Sequence, residues 1–462
     1  MKNNIFFRRI TVALLMCVLF LQMTGCSFLG RLVSKNQSSS AVQVSSAASI
    51  ASRPKASKNE KLKVPRNIPG TKESDGVKRA PVEKGALSSS HYRAVQALGG
   101  YQALKTNSQK ALYRSIGDKV YQVGVSKTKR NYVPVGRITV PGKLSEAQVR
   151  MTITAFLDDN PQVFWIANVY SYGYQGSRTV LQLYSELTQK ECSAAVRTFN
   201  QKVRTILQSV PAGMSGFDRE AYLFRYILLH CTYDDQAAQA GGAQWQPYTA
   251  YGALVNGTAV CEGYSRAMQL LGSRVGLPVL LLRGTAKGTA HMWNGVFLDQ
   301  NWYHLDLTWC DGSNLVYNYF NVDDRTIKMT HVIAPVASSM TDAQICSGDS
   351  VYNLTLPACT SREENYFRKK GIVISTLKDS GDNAVVSAVA NQMKRKQTTL
   401  AFYIAAGDYD TVIRKLTSAS PYKLAFYLQK AAARAGISLN QKGISYVTDK
   451  ADSGLNVFLT YP

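Results

Sequence analysis

Cys261, His291 and Asp306 are the residues of this 462-residue chain whose types and order most readily support chemistry. Cys261 lies in "GTAVCEGYS", where an apolar run gives way to a helical pattern. Ala267, Met268, Leu271 and Val275 then recur on one helical face, and Gly276 with Pro278 supplies the stop. The cysteine is therefore expected at a helix N-terminus. Unpaired amides and the positive end of the dipole there favour thiolate over a free thiol, whose pKa is about 8.5. Glu262 opposes this slightly, while Gly263 permits close approach of another backbone or a substrate. His291 opens "HMWNGVFL" and Asp306 follows within "WYHLDLTW", two runs joined by a short polar turn in a hairpin pattern. An even-length turn places both residues on one face, opposite or diagonal. The carboxylate can then hold one imidazole nitrogen and leave the other to the thiol.

Each residue alone has a plainer reading: a disulfide half, a loop histidine, an aspartate on a turn amide. Their joint order, helix-start Cys, strand-start His and facing Asp, favours nucleophilic chemistry. His304 shares the face of Asp306 and is the alternative base, but His291 begins a strand after a Gly-containing loop and can reach a helix end. His331, past the hairpin, reads as structural, His230 as a core or boundary residue of an apolar helix, and His91 merely follows the N-terminal stretch.

Positioning these groups requires several elements. "ALYRSIGDKV" and "ECSAAVRTFNQKVRTILQSV" have helical spacing, "TVLQLYSEL" alternates like a strand, and "DREAYLFRYILLHCTYD" is a long apolar helix. From Gly371 onward, "GIVIST", "NAVVSAVANQMKR", "TLAFYIA", "KLAFYLQKAAARAG" and "NVFLTYP" alternate as in a small α/β domain. The reading is α+β, with an N-terminal α+β region at 91–215, a core at 216–335 and a C-terminal α/β accessory domain at 336–462.

Lys2, Arg8 and Arg9 precede an apolar run from Ile10 to Met23, then Thr24-Gly25-Cys26. That is the pattern of a signal peptide over 1–26, with Cys26 in a lipobox-like position for diacylation. The run of about 14 residues is shorter than the about 20 a spanning helix needs. Residues 27–90, rich in Ser, Ala, Lys and Arg and nearly free of aromatics, read as a disordered basic tether. The expected location is the extracytoplasmic face of the cell membrane, held by lipid. A net charge of +24 suits anionic headgroups or wall polymers. Nucleic acid is disfavoured, because the basic residues are spread without a binding motif. Outside the cytoplasm Cys192, Cys231, Cys261, Cys310, Cys346 and Cys359 could pair, and Cys346 with Cys359 encloses the shortest loop and is the expected bridge.

The stretch "YGALVNGTAVCEGYSRAMQLLGSRVGLPVLLLRGTAKGTAHMWNGVFLDQNWYHLDLTWCD", followed by "YNYFNVDD", resembles the transglutaminase-like (transglutaminase/protease-like) superfamily, bacterial lipoprotein type. The resemblance covers about Tyr248 to Asp324 and implies a papain-like α+β core with a triad on Cys261, His291 and Asp306. Cys310 departs from the family, which often has an acidic residue after that Trp. The implied activity is attack of the thiolate on a carboxamide or peptide carbonyl of a peptide or protein, wall-associated proteins among them, ending in hydrolysis or transamidation. The Cys261 amide with Tyr251 or Trp245 is the expected oxyanion site. The chain lacks an Asp-x-Asp-x-Asp-Gly calcium loop, so no cofactor or metal is inferred. The reading from another class is a non-catalytic binding or structural module retaining the fold.

Overall fold

The computed structural model describes residues 61–68 and 99–462, except 349, 378–382, 420–421 and 441–442, together with the backbone of 45–46 and 79–81. Gln43–Pro462 forms one compact unit. The expected signal peptide, Cys26 and most of the expected tether lie outside the described residues. Among the described residues no helix is long and apolar enough to cross a membrane.

Helix starts follow from side-chain capping. α1 (Asn107–Lys119) and α2 (Glu146–Asp159) each open on a reciprocal box, Thr106 with Gln109 and Ser145 with Gln148. Strands β1 (Ile166–Gln175) and β2 (Arg178–Ser185) form a hairpin through Gly176, whose φ of +61° suits a residue without a Cβ. α3 (Gln189–Gln208) is capped by Thr188 with Glu191, and α4 (Gly216–His230) by Ser215. α5 (Cys261–Arg274) precedes the central sheet of β3 (Val279–Ala286), β4 (Thr289–Leu298), β5 (Asn301–Leu305), β6 (Phe320–Val322) and β7 (His331–Ile333). Its order is β6-β5-β4-β3-β7, all antiparallel. Two-residue turns close both hairpins, with positive φ at Lys287 and Gly288 and at Asp299 and Gln300, matching strand twist.

The C-terminal part comprises β8 (Ile372–Ile374), α6 (Asn383–Lys394), β9 (Thr399–Ile404), α7 (Tyr409–Thr417), α8 (Lys423–Ala435), β10 (Ser445–Asp449) and β11 (Gly454–Phe458). Its sheet runs β10-β11-β9-β8, with Ser45–Ser46 beside β10. The mixed helix and strand architecture is α+β. One apolar cluster extends from Leu104 through the central sheet to Phe458, so all three stretches from residue 91 contribute to a common core. Asn456 joins the last two of them: its Oδ1 accepts from Tyr317 N at 3.3 Å and its Nδ2 donates to Asn318 at 2.8 Å.

One expectation is corrected here. Residues 61–68, assigned to the tether, pack against the body: Leu62 is buried, and Arg66 and Asn67 pair in parallel with Val169 and Tyr170 of β1. Overall composition overlooked the apolar Leu62, Val64 and Ile68, enough to bind a short strand to a sheet edge.

Candidate active site

Gly257, at φ +72°, turns the chain into Thr258–Ala259, which pairs with Thr232–Tyr233, and the extended Val260 then leads into α5. Unlike α1 to α4, α5 has no side-chain cap, because Val260 has no polar atom to offer its first turn. Cys261 therefore takes the first helical position, completely buried. The helix start presses on the segment before it. A Cβ on Gly263 would lie 2.4 Å from Pro247 O and 2.7 Å from the Ala259 Cβ. Ser265 bolts this turn to the sheet, its hydroxyl facing Cys261 O at 2.8 Å and Met292 O at 3.1 Å. Asn294 adds donations to Ser265 O and Leu280 O. Cys261 shares an apolar cluster with Met292, the residue after His291.

Hairpin register decides the partners of His291. Gly295 faces His304 and Asn294 faces Leu305, so Asp306 continues opposite Trp293, diagonal to His291 on the same face. His291 Nε2 lies 2.7 Å from Asp306 Oδ2. With the carboxylate ionised, Nε2 carries the proton and donates, leaving Nδ1 to accept or receive one. Nδ1 is buried without a hydrogen-bond partner. Asp306 is a dense acceptor, since His331 Nε2 reaches the same oxygen at 3.1 Å and Trp309 N donates to Oδ1 at 3.1 Å. Burial by itself would push this carboxyl up. The opposing charge and hydrogen bond of His291, then those of His331, outweigh it and hold the carboxyl well below the usual range. Burial pushes the His331 imidazole down, the bond to Asp306 working against it.

His331, structural by its place in the sequence, lies beside the pair. It lies on β7 opposite Ala286, on the face that carries His291, with Gly284 and Ala286 of β3 between them. Small side chains on the intervening strand let His331 reach across, the rings lying 5.4 Å apart. Its signal in the sequence would have been that pair of small residues. His304 turns elsewhere: Nδ1 accepts from Trp293 Nε1 at 3.0 Å and Nε2 faces Asp324 at 2.8 Å.

A buried ion network supports the helix start. Glu262 accepts from Arg266 at 2.9 Å and from Lys63 N at 3.0 Å. Arg283 holds Asp158 through two bonds, 2.8 and 2.6 Å, and Arg266 touches the same carboxylate at 3.4 Å. Burial tends to lower the Arg283 pKa, but Asp158 more than compensates and raises it.

Tyr251 and Trp245, the expected oxyanion partners, join an aromatic cluster: Tyr251 with Phe164 and Phe199, Trp245 stacked on Phe164 at 6.0 Å. Trp245 also borders a cavity with Glu262. His230 caps the exposed end of α4, stacked on Tyr226. The expected bridge is corrected too: Cys346 and Cys359 are both free thiols. Cys346 packs near Ile345 and Tyr352, whereas Cys359 accepts from Asp324 N beside His304, so a short spacing in sequence leads to separate neighbourhoods. Burial pushes both thiols up. Two groups bring three ligand-type atoms within 4.8 Å of one another, His291–Asp306–His331 and His304–Asp324–Cys359. Hydrogen bonds from each histidine to its aspartate already account for most of this closeness.

Residues 204–307 match the model of the transglutaminase-like superfamily, a span that contains Cys261, His291 and Asp306. Kyphoscoliosis peptidase from Mus musculus is 26% identical over 163 residues, 32% of this chain and 23% of that protein. The chain thus spans under a quarter of that relative's length. Among solved structures, a TGase is similar at 16% identity, over 37% of this chain and 50% of that one, with a TM-score of 0.22. A Cytophaga hutchinsonii chain proposed to be a cysteine protease is similar at 11% identity, over 36% and 64%, also at 0.22. Residues 204–307 are thus the part of the chain that is similar to the transglutaminase-like superfamily.

Proposed function

We propose that this chain is a thiol enzyme acting on amide bonds of peptides or proteins, with Cys261 as nucleophile, His291 as its ion-pair partner and Asp306 as the group that orients and charges His291. One observation carries the reading: a buried imidazole bonded through Nε2 to a carboxylate, with Nδ1 unpartnered, and a buried cysteine at an uncapped helix start that packs with Met292, the residue after His291. In the forward step Cys261 Sγ bonds to the carbonyl carbon. The C–N bond breaks as imidazolium Nδ1 gives its proton to the departing amine. Water then attacks the thioester, His291 takes its proton, and acid and thiol are released; an amine in place of water gives a new amide. Hydrolysis is the preferred outcome, because water needs no second binding site. His331 is a positioning residue, sharing the carboxylate that holds His291. Lipid anchoring at Cys26 on the extracytoplasmic face, with peptides or wall-associated proteins as substrates, completes the reading.

Complete burial of Cys261 favours a second reading, a silent module that binds without catalysis. Mass spectrometry separates them. Peptides and surface proteins incubated with wild type, but not with Cys261→Ala, should gain new termini, deamidated Gln or isopeptide links. Identical spectra from the two proteins across such a panel would leave the silent module as the better account.

A further inference from the structure

A nucleophile with no exposed surface cannot meet a substrate, so the residues that cover it are informative. Leu62 is one of them. It lies in the same apolar cluster as Cys261, Leu281 and Met292, with Ala290 and Val351 at the margin. The chain around Leu62 is held as an extended peptide is held. Lys63 N donates to Glu262 Oε2 at 3.0 Å, and Pro65 O accepts from Arg150 Nε at 2.6 Å. Arg66 and Asn67 add two residues to the edge of β1, and Ile68 N donates to Tyr170 O at 2.6 Å. Addition of a short strand to a sheet edge, with side chains taken up alternately, is a general mode of peptide recognition.

The side chains are matched as well as the backbone. The Lys63 ammonium donates to Gly242 O at 2.8 Å and sits 5.2 Å over the Tyr248 ring, in the field of Glu186 and Glu262. A cavity of about 470 Å³ runs alongside, bordered by Lys63, Val64, Ala290 and Val351. It reaches the residue before His291.

We propose that this groove is the substrate site, that it takes an extended peptide bearing an apolar residue at the thiol followed by a cationic one, and that residues 61–68 occupy it in cis as a displaceable strap. This rests on Cys261 being the nucleophile of the proposed function. The strap keeps the thiol covered until a peptide with the same pattern, or a change that releases the strap, opens the groove. Two ladder residues, one buried leucine and the polar contacts of Lys63, Pro65 and Ile68 hold it, less than holds a core strand.

The test is peptide-resolved labelling of Cys261 by iodoacetamide in the full chain. Leu62→Asp places a charge in the apolar site, and Lys63→Glu sets a carboxylate against Glu262 and Glu186 while keeping the leucine. Both should label about tenfold faster or more, since burial of a leucine side chain contributes at least that factor to an equilibrium. The peptide of residues 61–68, added in trans, should restore protection saturably, and its scrambled counterpart should not. Fluorescence anisotropy of the same peptide on Lys63→Glu/Cys261→Ser reads the groove without the thiol. Binding there, with no turnover by wild type or by strap-released protein, would fail the enzymatic reading and leave the groove intact. Unchanged labelling in both strap variants, or faster labelling that the peptide cannot reverse, would overturn the proposal.

Discussion

Replacing Asp306 by Asn tests the centre of the site with almost no change of shape. The carboxylate faces three N–H groups, from His291 at 2.7 Å, His331 at 3.1 Å and Trp309 at 3.1 Å. An amide has one oxygen, so at least one of these donors meets an NH2 group instead. The larger loss is charge. A carboxylate and an imidazolium about 4 Å apart attract by about 4 kcal/mol at the effective dielectric suited to protein sites. Some of that returns through water and rearrangement, leaving about 3 kcal/mol, or about two powers of ten in the stability of a thiolate–imidazolium pair. A thiolate paired with His291 loses the same factor. Iodoacetamide labelling of Cys261, read peptide by peptide because Cys192, Cys231, Cys310, Cys346 and Cys359 are thiols as well, should fall about 100-fold at about pH 6.5. At about pH 10 a thiol ionises without help, and the two proteins should label within a few-fold of each other. At reagent concentrations low enough that labelling rates stay proportional to reagent, opening is a pre-equilibrium and access to the buried thiol cancels in the ratio. A ratio that is flat with pH, or a loss below about threefold at the acid end, would show that Asp306 does not charge His291, and the ion-pair reasoning would fall.

Arg283→Met should cost about 3 to 5 kcal/mol in urea unfolding, because it strands the buried Asp158 with only the longer contact to Arg266. Adding Asp158→Leu should recover much of the loss; a single variant within about 1 kcal/mol of wild type would discount the network. Glu220 is fully buried against Asn321, and burial pushes its carboxyl up to about 8. The unfolded chain, with an ordinary value of about 4.3, releases this proton first, so between the two values stability falls as pH rises, by up to about 1.4 kcal/mol per unit. Glu220→Gln keeps the acceptor without the charge and should lack that share of the slope; urea midpoints from about pH 5 to 8 with equal slopes would refute it.

How much of this was readable beforehand depends on the range of the interaction. The start of a helix at Cys261 followed from apolar spacing and a Gly-Pro stop, both features of a dozen neighbouring residues. The shared face of His291 and Asp306 followed from strand parity across the two-residue turn at Asp299 and Gln300. Such patterns are legible because backbone geometry repeats every 2 or 3.6 residues whatever the rest of the chain does. Other contacts depend on which elements become neighbours. His331 reaches Asp306 only because β7 adds to the far side of β3, where Gly284 and Ala286 leave room. Arg283 meets Asp158 across 125 residues, and Lys63 meets Glu262 across 199. Cys346 and Cys359, close in the chain, part because the segment between them leads from α2's flank to the turn beside His304. Local periodicity carries no record of such meetings; topology and the competition for buried volume create them.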